Sequence, residues 1–226
     1  MRKGQQGFTL IEIAIVLVII GLLLGGVLKG QELIQNARVR NIITQQDGIK
    51  AAFFGFQDRY RGIPGDYLPS SANANIPGAN PSCGGDGNSL IDTPTESICV
   101  WYQLSKAGFI TGNYSGIGTS ADATNSPTNA FGGIMQLIFD NIYADGTTLG
   151  GGNPIPSVHN LKTGTNIPAT ILAEVDRKID DGIPNTGNFR FSVWPNSTLT
   201  CVNTGVTPYA WAITSTATQC GGVSLF

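Results

Sequence analysis

The chain has 226 residues, of which 12% are charged, and a formal net charge of −2. That length suffices for one good hydrophobic core beyond its apolar start, which predicts one membrane element and one globular head. Residues 8–62 carry six Lys or Arg against four acids, whereas residues 63–226 carry five against eleven; an acidic head argues against a nucleic-acid platform.

Two cations, Arg2 and Lys3, open the chain. From Phe8 to Leu28 run 21 residues whose only charge is Glu12. As a helix this segment spans about 31 Å, close to the hydrocarbon thickness of a bilayer. The basic start keeps the amino terminus cytoplasmic and sends the remainder outward; Lys29, Arg38 and Arg40 oppose that orientation. A cleaved secretory signal would need small residues before its cut, and Gly26-Val27-Leu28 places Leu there. A plain anchor leaves Glu12 without a purpose, and a carboxylate within an apolar span marks function.

Apolar residues continue at helical spacing through Val39, Ile42, Ile43, Ile49, Ala52, Phe53, Phe56 and Tyr60. One helix is therefore predicted from Phe8 to about Arg61, stopped by Gly62-Ile63-Pro64-Gly65. Gly21, Gly25, Gly26 and Gly30 permit close approach of helices or local loosening. Phe53, Phe54, Phe56 and Tyr60 read as core packing rather than an electron path, and Arg38, Arg40, Arg59 and Arg61 as a solvated helix face.

In the head, thirty glycines across the chain, with many Ser, Thr and Asn, indicate many loops. Helices are predicted over Glu96–Lys106 and from Pro168 to Asp181. Strands are predicted over Ile134–Asp140, Phe189–Trp194, Leu199–Val202 and Tyr209–Thr214. Following one another with short turns, they would form an antiparallel sheet resting on the long helix, an α+β arrangement. Cys83, Cys99, Cys201 and Cys220 contain no CxxC, so zinc knuckles and covalent haem lack support. Four cysteines permit three connectivities; proximity favours Cys83–Cys99 and Cys201–Cys220, each closing a loop worth roughly 3 kcal/mol.

The stretch Lys3-Gly4-Gln5-Gln6-Gly7-Phe8-Thr9-Leu10-Ile11-Glu12, followed by the apolar helix, resembles the amino terminus of type IV pilins and of type II secretion pseudopilins. The resemblance implies a class III leader, residues 1–7, removed between Gly7 and Phe8 by a prepilin peptidase that also methylates the Phe8 amine. It implies the type IV pilin fold: a long helix, 8–62, with 8–28 spanning the membrane or packing in a filament, and a globular head, 63–226. It further implies identical or homologous subunits in a helical filament, an inner-membrane assembly platform, and transfer from the bacterial inner membrane to a periplasmic, cell-surface or extracellular filament. Physically, cleavage creates an ammonium at Phe8, and a neighbouring chain shifted along the axis brings its Glu12 carboxylate to that amine. Such a heterologous, non-closing contact makes helical filaments. In the head, "YRGIPGDY", "GGDGN", "WYQLSKAGFITGNYSG" and "VDRKIDDGIPNTGNFRF" resemble segments of large pilin-like proteins rather than of major pilins.

Chemistry in the head is sparse. Asp86, Asn88 and Asp92 have oxygen ligands at a spacing faintly like a calcium loop but lack the turn glycine, and Asp180-Asp181-Gly182 is an equally thin candidate. Calcium is accordingly the one cofactor entertained. His159 is the only histidine, placed in a Pro- and Gly-rich loop, and no G-x-S-x-G or phosphate loop occurs, so nothing supports an enzyme. The expected function is that of a filament subunit, minor or pilin-like. Alternatives are a type II secretion pseudopilin and a membrane-anchored binding protein that does not polymerise.

Overall fold

The structure is a computed structural model that describes residues 9–146, 148–150, 155–214 and 216–226. Helix α1 spans Leu10–Tyr60, 51 residues without a proline. It stops where Arg61 adopts a left-handed φ of 54°, followed by Gly62. Gly65, at φ 92°, closes the turn; a Cβ there would lie 2.5 Å from the Glu96 carbonyl oxygen, so only glycine fits.

The chain divides into two compact units within α1, one ending at Arg38 and the other beginning at Val39. In the first unit the large apolar side chains from Leu10 to Ile34 are 46% to 93% exposed. In the second, Val39, Ile42, Gln46, Ile49, Ala52, Phe53 and Phe56 are buried. Their three- and four-residue steps make one continuous stripe.

The second unit carries α2 (Pro69–Asn75), α3 (Pro94–Lys106) and α4 (Ala169–Ile179). Its strands are β1 (Gln136–Asp140), β2 (Val158–Lys162), β3 (Phe189–Ser192), β4 (Val202–Asn203), β5 (Ala210–Trp211) and β6 (Gly221–Leu225). Pro94 occupies the start of α3, and Thr93 and Glu96 form a reciprocal capping box, satisfying amide donors that a helix start otherwise leaves open. A four-stranded antiparallel sheet runs in the order β1-β2-β6-β3; β4 and β5 form a separate two-stranded ribbon.

Register gives the sheet two different faces. Leu137, Leu161, Ser224 and Phe189 align across the four strands. Leu137 and Leu161 join Ile49, Ala52, Phe53 and Phe56 of α1 with Trp101 and Leu104 of α3 in one core cluster. Phe189 and Phe191 join Val39 and Ile42 with α4 and Trp211 in another. On the opposite face stand Gln136, Asp140, Asn160, Lys162 and Arg190, the alternate positions of the same strands. Lys162 is 0% exposed and pairs with Asp140.

Several expectations need correction. The sheet is no succession of neighbouring strands, because the carboxy-terminal β6 inserts between β2 and β3. Leu199–Cys201 is a 3-10 turn instead of a strand, and the predicted Tyr209–Thr214 strand keeps two residues, both in the ribbon. Helix α2 and strands β2 and β6 were not anticipated. His159 lies within β2 instead of a loop.

Candidate functional site

The Gly7-Phe8 junction and the leader before it lie outside the described residues. The first described residue, Thr9, caps α1. Its backbone N–H and hydroxyl donate to Glu12 Oε2 at 2.8 and 2.7 Å, and the Glu12 N–H donates back to Thr9 Oγ1 at 3.3 Å. This is a Thr-x-x-Glu capping box, in which the carboxylate also faces the positive end of the helix dipole. Sequence reasoning asked only what partner Glu12 has in another chain and missed the partner in its own, although the four-residue signature is legible. The cap engages one carboxylate oxygen, Oε2.

Beyond Glu12 the helix is apolar through Leu28, long enough to cross a membrane, and none of its most apolar stretch is buried. A Cβ added to Gly21, Gly25, Gly26 or Gly30 would meet nothing within 4 Å. The segment offers a smooth apolar rod with one acid at its start.

In the head, Cys83 is bonded to Cys99 and Cys201 to Cys220, at Cα separations of 5.4 and 5.7 Å. The first bridge ties the loop before α3 to α3 itself; the second ties the start of the β4-β5 ribbon to the start of β6. All four sulfurs are buried.

The acidic residues group differently from their sequence spacing. The oxygens that converge belong to Asp66, Asp86 and Glu96, within 4.8 Å of one another. Asp66, twenty residues from Asp86, was not singled out. Of the expected trio, Asp86 accepts from the Asn88 N–H at 3.0 Å, and Asn88 reaches Asp92 at 3.5 Å. Asp66 accepts from the Gly87 and Ser89 N–H groups at 2.8 and 2.7 Å, and Glu96 from those of Asp92 and Thr93 at 3.0 Å each. Burial pushes the Glu96 carboxyl up, against the bonds from Thr93 and Asp92. These carboxylates hold loop amides, and the set of oxygens suits a hard cation such as calcium.

Asp180 and Asp181 are joined by Asp176. Asp176 accepts from the Trp211 indole at 2.7 Å and the Gly182 N–H at 3.3 Å. Burial raises its pKa to about 6 against those two bonds. Asp180 accepts from the Asn188 and Phe189 N–H groups, and Asp181 from Ile183 N–H and the Thr186 hydroxyl. The cluster thus pins α4 to the ribbon and to β3.

His159 Nε2 accepts from the Ile91 N–H at 3.3 Å, and its ring lies 5.1 Å from Phe139 and 5.9 Å from Phe53. Burial pushes its pKa down, with the Asp66 carboxylate opposing. It is a strut between β2 and the loop before α3. Phe53 and Phe56 are core side chains.

Comparison with known proteins bears on the amino-terminal segment. No curated protein and no solved structure matches the chain. Residues 2–28 match the family model of the prokaryotic N-terminal methylation motif. The match covers Gly7, Phe8, Glu12 and the apolar half of α1, and it ends before the head. Residues 2–28 therefore carry a class III prepilin leader and its methylation motif, and with an α+β arrangement like the type IV pilin fold they indicate a type IV pilin-like or pseudopilin precursor that inserts into a membrane.

Proposed function

We infer that the chain, cut between Gly7 and Phe8 and methylated at Phe8, is a minor or pilin-like subunit of a type IV pilus-like filament. The observation that supports this reading best is the combination at the start of α1: an exposed apolar rod whose single acid, Glu12, is held by its own chain through one oxygen. The new Phe8 ammonium of a neighbouring subunit is the group that Glu12 lacks. Pairing it neutralises an ammonium and a carboxylate in an apolar surrounding at once, which rewards one axial stagger over others. Outside the membrane the head is held by two buried disulfides, which suits an oxidising compartment. Calcium enters this reading only through the Asp66, Asp86 and Glu96 oxygens; a calcium titration of the head's melting temperature reads whether they take the ion.

Intact-mass analysis of the exported chain should show loss of residues 1–7 and one added methyl group. Met1 still attached in exported filaments would refute the processing step. Shearing cells and assaying the filament fraction then separates the alternatives: trace incorporation is expected of a minor subunit, abundance of a major pilin, confinement to the envelope of a pseudopilin, and processed monomer in the membrane of an anchor.

A further inference from the structure

On the sheet face that turns away from α1, a cavity of about 330 Å³ opens between the start of α3, the 119–121 loop, β1 and the segment after β3. Its size is at the lower end of the range for small-molecule sites. Ser97, Thr119, Ser120, Gln136, Trp194 and Pro195 are among its walls.

The polar groups there are arranged rather than scattered. Gln136 is 9% exposed, and the ammonium of the fully buried Lys162 donates to its Oε1 at 3.4 Å. An ammonium has only donors, so it selects the oxygen of the amide and leaves the N–H₂ group turned away. Lys162 is itself held by Asp140. The Gln136 N–H₂ group has no partner among the described residues, although it belongs to a residue nine-tenths buried. The Trp194 indole N–H and the Thr119 and Ser120 hydroxyls likewise make no bond to another described residue. Lys162 lies over the Trp194 ring, 5.6 Å from its centroid, which braces the indole as a wall of the cavity.

Three features define the ligand. No charged side chain is among the described residues that line the cavity, and Lys162 and Asp140 beside it pair with each other, which selects an uncharged ligand. The aromatic wall suits an apolar face, and the Gln136 N–H₂ group oriented by Lys162, with the hydroxyls of the exposed Thr119 and Ser120 nearby, suits oxygen acceptors at its edge. A pyranose ring has this composition: C–H bonds on its faces and hydroxyls around its rim. We propose that this cavity binds one neutral pyranose residue, as found at the end of a surface glycan, with Trp194 as the platform and the Gln136 amide as the fixed donor. A proline-rich peptide would also use an aromatic wall, but an extended peptide needs a groove of several aromatics, and here a single Trp stands among hydroxyls.

Ligand-observed saturation-transfer NMR on the full mature chain, in a detergent without a sugar headgroup, tests this with methyl β-galactoside, methyl α-mannoside and N-acetylglucosamine as probes. At least one should give saturable transfer by about 10 mM, where a site with a Kd of ~1 mM is nine-tenths filled. Gln136→Glu keeps an acceptor for Lys162 but removes both donors, and should weaken binding at least tenfold while the near-UV spectrum is kept. Trp194→Ala should abolish it. Absence of transfer from all three probes at that concentration overturns the proposal, as does glycoside binding that Gln136→Glu leaves unchanged, or capture of a proline-rich peptide in their place. Filament entry does not depend on this outcome.

Discussion

The two units of the chain treat apolar surface in opposite ways. Up to Arg38 the apolar side chains of α1 are exposed along the rod, whereas from Val39 the same helix presents a buried stripe and the head closes over it. Backbone conformation is the same on both sides of that boundary, an uninterrupted α-helix. The difference is where the partner surface resides: for Ile42 or Phe56 it lies in the same chain, and for Leu17 or Leu22 it lies outside it, in lipid or in other subunits. The head also does what the rod cannot, burying a lysine, because Asp140 and Gln136 stand on the adjacent strand. The apolar stretch from Leu10 to Leu28 has no such freedom, so its single charge, Glu12, is informative.

The largest expected effect breaks the comparison at its outer end. Glu12→Gln retains a side chain able to serve in the capping box but not the charge, and Glu12→Ala loses both. If the charge serves assembly, the two variants should fail alike, with filament entry reduced on the order of a hundredfold and processed monomer left in the membrane. If Gln assembles at wild-type level and Ala does not, the cap is what matters and the intermolecular pair is refuted. Quantitative immunoblotting of sheared filaments against membranes gives the answer.

Next in size are changes that weaken the head while sparing the rod. Replacing Cys201 and Cys220 together by alanine should lower head stability by about 2–4 kcal/mol in denaturant titrations, since the bridge closes a loop of 19 residues in sequence separation and its sulfurs sit in the core beside Trp211. Membrane insertion of α1 should be unaffected. Loss of insertion would mean that the two units are not energetically separate.

Asp176 predicts the pH response of the head. Its pKa is raised in the folded state to about 6 from an ordinary value near 4, so the fold binds the proton more tightly than the unfolded chain does. The resulting stabilisation is fully present below about pH 4 and is lost as pH rises through about 6. Asp176→Asn should flatten the slope in that window, at the loss of one of the two bonds to Trp211 and Gly182. His159 acts in the opposite sense: its lowered pKa removes stability as pH falls below about 6.5, the two effects being separable by His159→Gln.

The smallest change concerns Gln46, 1% exposed on the buried stripe of α1, whose amide oxygen and nitrogen both lack a partner among the described residues. Gln46→Met should raise head stability by about 1–2 kcal/mol, since it removes two unpaired polar groups and keeps the length of the side chain. A loss of stability would show that the amide is paired through water.

How much of this was legible follows from the range of the interactions concerned. Helix α1 was predicted to within a residue of its described end, because its stop lies in adjacent Arg61 and Gly62. Helix α4 was legible for the same reason, from Pro168 before its first turn, whereas α3 was expected only from Glu96 and begins two residues earlier, at Pro94. Strand β6, Gly221–Leu225, carries two glycines and no alternation, and it is a strand because β2 and β3 flank it; Gly222 has no side chain where the Phe189 ring lies. In β2, His159 was read as part of a Pro- and Gly-rich loop, yet its neighbours Asn160 and Lys162 are buried through partners on β1. The amino-terminal motif was legible whole, since a peptidase reads it as a local string, while its Thr9 cap was overlooked. Asp66 was hidden from any short window and emerges only when the loop after α1 folds back on Gly87 and Ser89.

The sequence by itself determined the long helix, its apolar half with one acid, the leader motif and the proximity that favours both disulfide pairings, all properties of neighbouring residues. The tertiary structure decided the strand order, the convergence of Asp66 with Asp86 and Glu96, and the cavity in which Lys162 orients Gln136 beside Trp194. Each of those joins residues distant in sequence, and their positions depend on hydrogen-bonded register and close packing that no local pattern encodes.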